Sequence, residues 1–235
     1  MLPVAILAGG LATRLRPVTE TIPKALIEIA GEPFLGRQLR LLRDSGISQV
    51  VVCAGYRASQ IEEYAGDGSR FGLRISYSID GPRLLGTAGA IRLALPLLGE
   101  AFFTLYGDSY LPCDYGAIQN KFLESHKLGL MTVFRNEGDF DSSNVEFDQR
   151  IIVYDKVNRT SGMRHIDYGL GLFRSEAFSQ VPADQPFDLA TLYQGLLKQD
   201  QLAAYEVPER FYEIGSQEGI RELDELLSRP KETSS

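Results

Sequence analysis

The sequence predicts a single α/β domain with a mixed, mostly parallel central sheet flanked by helices. Short apolar runs that end in glycine alternate with helical patterns as far as Tyr106. This alternation at the spacing of β-strand–helix units favours a layered α/β sheet. The 235 residues can bury one large core, and no linker rich in proline, glycine or serine divides them. We therefore predict one domain over residues 1–229 and a flexible polar tail over residues 230–235.

The first half of the chain supplies the predicted parallel strands and their helices. Apolar residues recur at helical spacing after Pro33, and Ser45-Gly46 ends that helix. Thr87 is the predicted N-cap of a later helix. Strands are predicted over Val4–Leu7, Gln49–Cys53, Leu73–Ser78 and Ala101–Tyr106, and helices over 33–45, Ala58–Tyr64 and Thr87–Leu97.

Beyond residue 127 strands follow one another with few helices between them. This pattern predicts an antiparallel or mixed extension of the same sheet. Strands are predicted over Leu130–Phe134, Ser143–Phe147, Arg150–Tyr154 and Tyr168–Phe173, followed by helices over Phe187–Gln199 and Gln217–Leu227.

Composition excludes several classes of function. The formal net charge of −7 argues against extended nucleic-acid binding, which depends on Lys and Arg. No apolar run approaches the roughly 20 residues that span a bilayer. Cys53 and Cys113 form no CxxC motif, so we expect free thiols and a cytoplasmic protein. His126, late in a helix, and His165, in a predicted loop, accompany no serine or cysteine motif and are not candidate catalytic bases.

The first strand leads into a loop that suits phosphate binding. Paired glycines can adopt positive φ and let a ligand approach the backbone, and a ligand site at a strand's carboxyl end is typical of open α/β sheets. A hydroxyl and cations follow, but neither a Walker A loop nor a dinucleotide fingerprint is present. The residues of this loop are Leu7, Ala8, Gly9, Gly10, Thr13, Arg14 and Lys24.

Two further segments carry candidate chemistry. Leu85-Gly86-Thr87-Ala88-Gly89 places small residues at a helix start, where a base and ribose can lie close to the chain. Leu105-Tyr106-Gly107-Asp108-Ser109 presents an acid at the end of a strand, and Mg²⁺ prefers one or two such carboxylates with phosphate oxygens and water.

These segments together resemble the signature of the sugar-1-phosphate nucleotidyltransferases, Leu-Ala-Gly-Gly-x-x-Thr-Arg-Leu-x-Pro-x-Thr-x-x-x-Pro-Lys. Enzymes of this family join a nucleoside triphosphate to a sugar 1-phosphate and release pyrophosphate. The resemblance covers nearly the whole chain. Its compact length is similar to that of heptose 1-phosphate guanylyltransferases and N-acetylmuramate 1-phosphate uridylyltransferases. The resemblance implies a Rossmann-like, GT-A-like domain and a Mg²⁺ cofactor.

The resemblance also implies roles for individual residues. Arg14, Lys24 and Asp108 would be catalytic, and Asp108 would hold Mg²⁺ with Glu213, which stands where the family usually has aspartate. The nucleotide would contact Leu7, Ala8, Gly9, Gly10, Thr13, Arg14, Lys24, Gly86, Thr87, Ala88 and Asp108, and the sugar phosphate Asn144, Lys156, Asp167 and Gly169. Near the base this chain has Asp80-Gly81-Pro82-Arg83 where family members often have Gln or Glu, so either Asp80 or Arg83 could contact the base edge.

This chemistry requires no general base, because a phosphate monoester is already largely a dianion at neutral pH. GTP with a heptose 1-phosphate is the leading pair of substrates. Transfer from UTP, CTP or dTTP, a phosphocholine-like acceptor, and a non-catalytic nucleotide-sugar-binding regulatory homologue are the alternatives. Asp139-Phe140-Asp141 has the spacing of a glycosyltransferase Asp-x-Asp motif but lies outside the expected strand end. The oligomeric state stays open.

Overall fold

The fold is that of a computed structural model that describes residues 1–10, 15, 17–81, 83–136, 138–183 and 185–229. The predicted phosphate-binding residues Thr13 and Arg14 lie outside the described residues. So does the predicted tail over residues 230–235.

A nine-stranded sheet forms the centre of the fold. Along its main path the strands are β10 (Ile151–Tyr154), β9 (Val145–Phe147), β11 (His165–Arg174), β6 (Ala101–Tyr106), β1 (Val4–Ala8), β4 (Gln49–Ala54) and β5 (Arg74–Ile79). Two further strands lie off this path. The second edge of β11 pairs with β8 (Gly129–Arg135), and β8 in turn pairs with β12 (Leu202–Glu206).

Most of these strands point in one direction. β5, β4, β1 and β6 pair in parallel, whereas β11 runs antiparallel to β6, β8 and β9. β12 is parallel to β8, and β10 is antiparallel to β9. All strands of the sheet except β11 and β10 therefore share one direction, which confirms the predicted mixed, mostly parallel sheet.

Helices cover both faces of the sheet because successive strand residues point to opposite sides. Val4 and Ile6 face a core that includes Leu35 of α1, whereas Ala5 faces a core that includes Ile91 of α3. The helices are α1 (Phe34–Asp44), α2 (Ala58–Ala65), α3 (Gly86–Leu98), α4 (Tyr115–Ser125), α5 (Leu189–Lys198) and α6 (Gln217–Ser228). No helix among the described residues is both long enough and apolar enough to cross a membrane.

Short elements and one cap differ from the prediction. The strand β12 was not predicted. Two small ladders, β2 (Glu28–Ile29) with β3 (Glu32–Pro33) and β7 (Ser109–Tyr110) with β13 (Tyr212–Glu213), were not predicted either, because two-residue pairings leave no periodic pattern. Thr87 is not the N-cap of α3: Leu85 is, and Thr87 lies inside the helix. His165 lies at the start of β11 and not in a loop.

Candidate active site

A cleft of about 440 Å³ opens at the carboxyl ends of β5, β4, β1 and β6. In α/β sheets this edge is where ligands bind, since loops and helix N-termini converge there. The lining includes nine residues that the sequence assigns to nucleotide binding, namely Leu7, Ala8, Gly9, Gly10, Lys24, Asp80, Gly86, Thr87 and Asp108. The geometry thus brings the first loop, the α3 segment and the β6 turn into one cavity.

The paired glycines leave the backbone open to the cleft without positive φ. Neither Gly9 nor Gly10 adopts a left-handed conformation, so the expected use of positive φ here is wrong. A Cβ on Gly9 would stand 3.4 Å from the Gly55 nitrogen, which shows two chain segments packed closely. At Gly10 a Cβ would meet no described atom within 4 Å. The absent side chain at Gly10 therefore leaves space for a ligand.

Lys24 and Asp108 form an ion pair inside the cleft. The Nζ of Lys24 donates to Oδ2 of Asp108 at 2.7 Å, and their side chains are 16% and 33% exposed. Lys24 begins a short 3-10 helix after Pro23, and Asp108 lies between β6 and β7. A cation and a carboxylate from distant parts of the chain thus stand together at one end of the cavity.

The turn that carries Asp108 is fixed from two sides. A Cβ on Gly107 would lie 2.5 Å from the Leu7 carbonyl oxygen, so only glycine fits between β6 and β1. On the other side Nε2 of Gln38, buried in α1, donates to the Tyr106 carbonyl at 3.0 Å and to the Ser109 carbonyl at 2.7 Å. One amide group therefore bridges the residues on both sides of the Gly107-Asp108 pair.

Glu213 stands next to Asp108 through the small ladder of β7 and β13. Glu213 pairs with Ser109, and the Ile214 N–H donates to the Asp108 carbonyl at 2.9 Å. The residue presents accessible surface, yet protein atoms crowd its carboxyl group. This desolvation, followed by the negative charge of Asp108, raises the pKa of Glu213 to about 7. A carboxyl group whose charge is disfavoured by a neighbouring carboxylate suits an oxygen-seeking cation.

The described residues contain no group of three or more His, Cys, Asp or Glu side chains arranged to hold a metal. A Mg²⁺ ion held by Asp108 and Glu213 would take its remaining ligands from phosphates and water, as this ion usually does.

The start of α3 forms the next wall of the cleft and is bonded to the segment before α5. Gly86 has φ +73°, and a Cβ there would lie 2.8 Å from the Phe187 carbonyl oxygen. The N–H groups of Ala88 and Gly89 donate to that oxygen at 2.9 and 3.2 Å. Ala88 itself is fully buried and does not line the cleft. Ala88 therefore packs beneath the residues that line the cleft, and its predicted contact with the nucleotide would be indirect.

Thr87 is bonded to the same segment. Its Oγ1 accepts a hydrogen bond from the Leu189 N–H at 2.7 Å. Thr87 lies inside α3, and its hydroxyl accepts this bond from the first residue of α5.

Asp80 lies at the far end of the cleft, after β5. Its Oδ2 accepts from the Leu85 N–H at 3.2 Å, while its Oδ1 is buried with no hydrogen-bond partner among the described residues. Burial raises the pKa of this carboxyl group. A buried acceptor oxygen without a donor costs free energy, so Asp80 is a strained part of the cleft wall.

The four predicted sugar-phosphate residues form one cluster beside the cleft. Oδ2 of Asp167 lies 3.4 Å from Lys156 Nζ, and the backbone N–H groups of Asp167 and Gly169 donate to Asn144 Oδ1 and Asp167 Oδ1. Lys156 Nζ also stands 5.3 Å from the ring centre of Tyr106, a residue of the cleft wall. The cluster therefore adjoins the Asp108 end of the cavity.

Asp167 is engaged within the protein. Its side chain is 4% exposed, and besides Lys156 and Gly169 it accepts from the Tyr154 hydroxyl at 3.1 Å. The predicted direct contact between Asp167 and sugar hydroxyls therefore has little free acceptor capacity, whereas Lys156 is 42% exposed and keeps N–H donors for a ligand.

Sequence reasoning missed two residues of the site. Asp188, just before α5, lines the cleft, and its position before an apolar helical pattern was the only available signal. Gln38 lies in the apolar stripe of α1. A glutamine among leucines is a possible signal of a buried polar contact, but it does not identify the partner.

The comparisons with known proteins agree with this geometry. The family model described as Nucleotidyl transferase matches residues 4–144, and the chain belongs to this family. Among its relatives, the N-acetylmuramate α-1-phosphate uridylyltransferase of Neisseria meningitidis is 32% identical, with 94% of this chain and 96% of the relative covered. The D-glycero-α-D-manno-heptose 1-phosphate guanylyltransferase of Campylobacter jejuni is 29% identical, with 89% and 93% covered.

A solved structure shows the same fold. HddC from Yersinia pseudotuberculosis, in complex with GMP-PN, superposes with a TM-score of 0.77 at 26% identity, covering 97% of this chain and 100% of HddC. Family and relatives define the class: the chain is a sugar-1-phosphate nucleotidyltransferase by family membership.

Proposed function

We propose that this protein transfers GMP from GTP to a heptose-like sugar 1-phosphate, with Mg²⁺ held by Asp108 and Glu213. The Lys24–Asp108 pair in the cleft, next to the Lys156 cluster, is the observation that carries the proposal. It supplies cations for both polyanions and a carboxylate for the metal within one cavity. The predicted cytoplasmic location stays a prediction.

The chain's own residues position and neutralise the two substrates. Backbone N–H groups at Gly9 and Gly10, the Lys24 ammonium and the predicted Arg14 would bind the triphosphate. Lys156 would bind the sugar phosphate, whose oxygen attacks the α-phosphorus in line with departing pyrophosphate. Because the attacking phosphate is already anionic, holding two like-charged groups in line is the main task of the site.

A bound Mg²⁺ would supply charge neutralisation and polarise the phosphoryl oxygens. Asp108 and Glu213 fit this ion because the Ile214 N–H joins their two segments at the Asp108 carbonyl, and the charge of Asp108 adds to desolvation in raising the pKa of Glu213. A cation bound there would favour the ionised form of Glu213.

Asp80 supports guanine as the base. The Watson–Crick edge of guanine carries two neighbouring N–H donors, which suit a carboxylate that lines the cleft, as Asp80 does. Uracil and thymine offer one N–H between two carbonyl acceptors, and a carboxylate repels those acceptors. The guanylyltransferase of Campylobacter jejuni and the GMP-PN complex of HddC agree with this choice.

Transfer from UTP to an N-acetylmuramate-like sugar 1-phosphate is the second candidate. The observation in its favour is the 32% identity to the Neisseria meningitidis uridylyltransferase over nearly the full length of both chains.

Pyrophosphate release tests both candidates. The purified protein is assayed with GTP, UTP, CTP, ATP and dTTP against heptose, N-acetylmuramate, glucose and mannose 1-phosphates, with Mg²⁺ and with EDTA. The proposal expects release with GTP and a heptose 1-phosphate, lost with EDTA. Preference for UTP with N-acetylmuramate 1-phosphate would establish the second candidate, and GTP binding without turnover with any acceptor would contradict the catalytic assignment.

A variant tests the role of Asp80 separately. Asp80→Asn keeps one acceptor oxygen for the Leu85 N–H but replaces the other carboxylate oxygen by an NH₂ group. The ratio of kcat/KM for GTP over UTP should fall about 10-fold, because each hydrogen bond to a charged group contributes about 1.5–3 kcal/mol. The exposed Asp148→Asn serves as the matched control. An unchanged ratio in Asp80→Asn would remove Asp80 from base recognition.

A further inference from the structure

Asp188 is held in the cleft by backbone hydrogen bonds of its two neighbours. The proposed mechanism gives this residue no role. Phe187, which precedes it, donates its N–H to the Leu85 carbonyl at 2.8 Å, and the following Leu189 donates to Thr87 Oγ1 at 2.7 Å. Backbone bonds on both sides thus hold this segment against the start of α3. Asp188, between these two bonded residues, lines the cavity.

The carboxylate of Asp188 has acceptor capacity to spare. Among the described residues its hydrogen-bonding partner is the Thr87 hydroxyl, at a long 3.5 Å, and it forms no ion pair there. Asp188 precedes α5 without making a side-chain capping bond to that helix. A carboxylate has about four acceptor sites, so most of them are free.

The position of Asp188 limits which part of a nucleotide it meets. The strands β5, β4, β1 and β6 lie side by side, so Asp80 and Asp108 stand at opposite ends of this edge, about 14 Å apart across three strand spacings. Asp188 contacts Thr87 and lines the same cleft as Tyr106, the last residue of β6.

A nucleotide with its base near Asp80 and its phosphates near Lys24 has its ribose between these two ends. A carboxylate that lacks a cation repels phosphates and accepts hydrogen bonds from hydroxyl groups. We infer that Asp188 is a specificity-determining residue that accepts hydrogen bonds from the ribose hydroxyls of the nucleotide and so selects ribonucleotides over 2′-deoxyribonucleotides. This inference rests on the proposed binding of a nucleotide in the cleft, but it does not depend on which base is bound.

Direct binding measurements test the inference without requiring turnover. Isothermal titration calorimetry with GTP, dGTP, UTP and dUTP gives the dissociation constants for wild type, Asp188→Ala and Asp188→Asn. We expect wild type to bind the better ribonucleotide about 10-fold or more tightly than its deoxy form, because one hydrogen bond to a charged group contributes at least that factor. Asp188→Ala should bind both forms with the affinity that wild type has for the deoxy form, within about 2-fold.

The controls separate this role from others. Asp148→Asn should keep the wild-type preference, and unchanged melting temperatures of the Asp188 variants would show that the fold is intact. An equal preference for ribose and deoxyribose in wild type, or the full wild-type preference in Asp188→Ala, would overturn the inference. If Asp188→Ala instead raises only the KM for the sugar 1-phosphate, Asp188 binds the sugar 1-phosphate and the inference is wrong. Absence of binding by any nucleotide would contradict the proposed function itself.

Discussion

Gln38 allows the link between the fold and the site to be tested quantitatively. Its Nε2 donates to the carbonyls of Tyr106 and Ser109 at 3.0 and 2.7 Å, and the side chain is buried. Gln38→Leu keeps the approximate volume and the helix propensity but removes both donors. Each bond contributes about 1 kcal/mol, and leaving two buried carbonyl groups without this donor adds to the cost.

One feature of Gln38 reduces this cost. Its Oε1 has no partner among the described residues, so leucine also removes an unsatisfied acceptor. We therefore expect a loss of about 2 kcal/mol in the free energy of unfolding, which lowers the melting temperature by about 4–8 °C for a domain of this size. Activity should fall further than stability suggests, because a displacement of Asp108 by about 1 Å can cost about 100-fold in rate.

Thermal unfolding by circular dichroism and pyrophosphate release measure the two effects. The control is Gln49→Leu, which removes a comparable amide bond to the Leu97 carbonyl, at 3.2 Å, on the exposed surface. This control should change the melting temperature by less than about 2 °C and leave activity unchanged. If Gln38→Leu keeps wild-type kcat, or if both variants lose the same stability, Gln38 does not hold the Asp108 turn.

Three further predictions follow from individual contacts. Lys156→Ala should raise the KM for the sugar 1-phosphate about 10-fold or more while the KM for the nucleotide changes less than about 2-fold, and equal changes in initial-rate kinetics would contradict its assignment. Burial raises the pKa of Cys53 and of Cys113 to about 12, so at pH 8 both thiols stay protonated and should react with Ellman's reagent only after unfolding; rapid reaction of the native protein would refute this. Gly107→Ala places a Cβ 2.5 Å from a β1 carbonyl oxygen and should destabilise by about 1–3 kcal/mol in urea unfolding, whereas Gly195→Ala, with open space at its Cβ, should not destabilise.

The parallel half of the fold was predictable because each element carries its own local pattern. The buried strands β1, β4 and β6 are short apolar runs, and α1 has apolar residues at helical spacing followed by Ser45 and Gly46. The pairing of β7 with β13 was not predictable, because two-residue ladders are fixed by tertiary contacts. The same ladder places Glu213 beside Asp108.

The site was predictable where function requires particular residue types in one short segment. Lys24 and Asp108 belong to such segments, and the structure brings them into contact. Thr87 shows the limit of this reasoning: its hydroxyl serves a backbone N–H about a hundred residues away rather than its own helix. Asp188 and Gln38 act through similarly distant partners, which sequence periodicity does not reveal.

Mg²⁺-dependent formation of a GDP-sugar can be tested by following both products of the reaction in one sample. Phosphorus NMR of the protein with Mg²⁺, GTP and a heptose 1-phosphate should show GDP-sugar and pyrophosphate appearing in equal amounts, with neither product in EDTA. Asp108→Ala should reduce the rate about 100-fold or more without altering the fold, because it removes a carboxylate from the metal site. Free phosphate or GMP without GDP-sugar, or unchanged turnover by Asp108→Ala, would contradict the account.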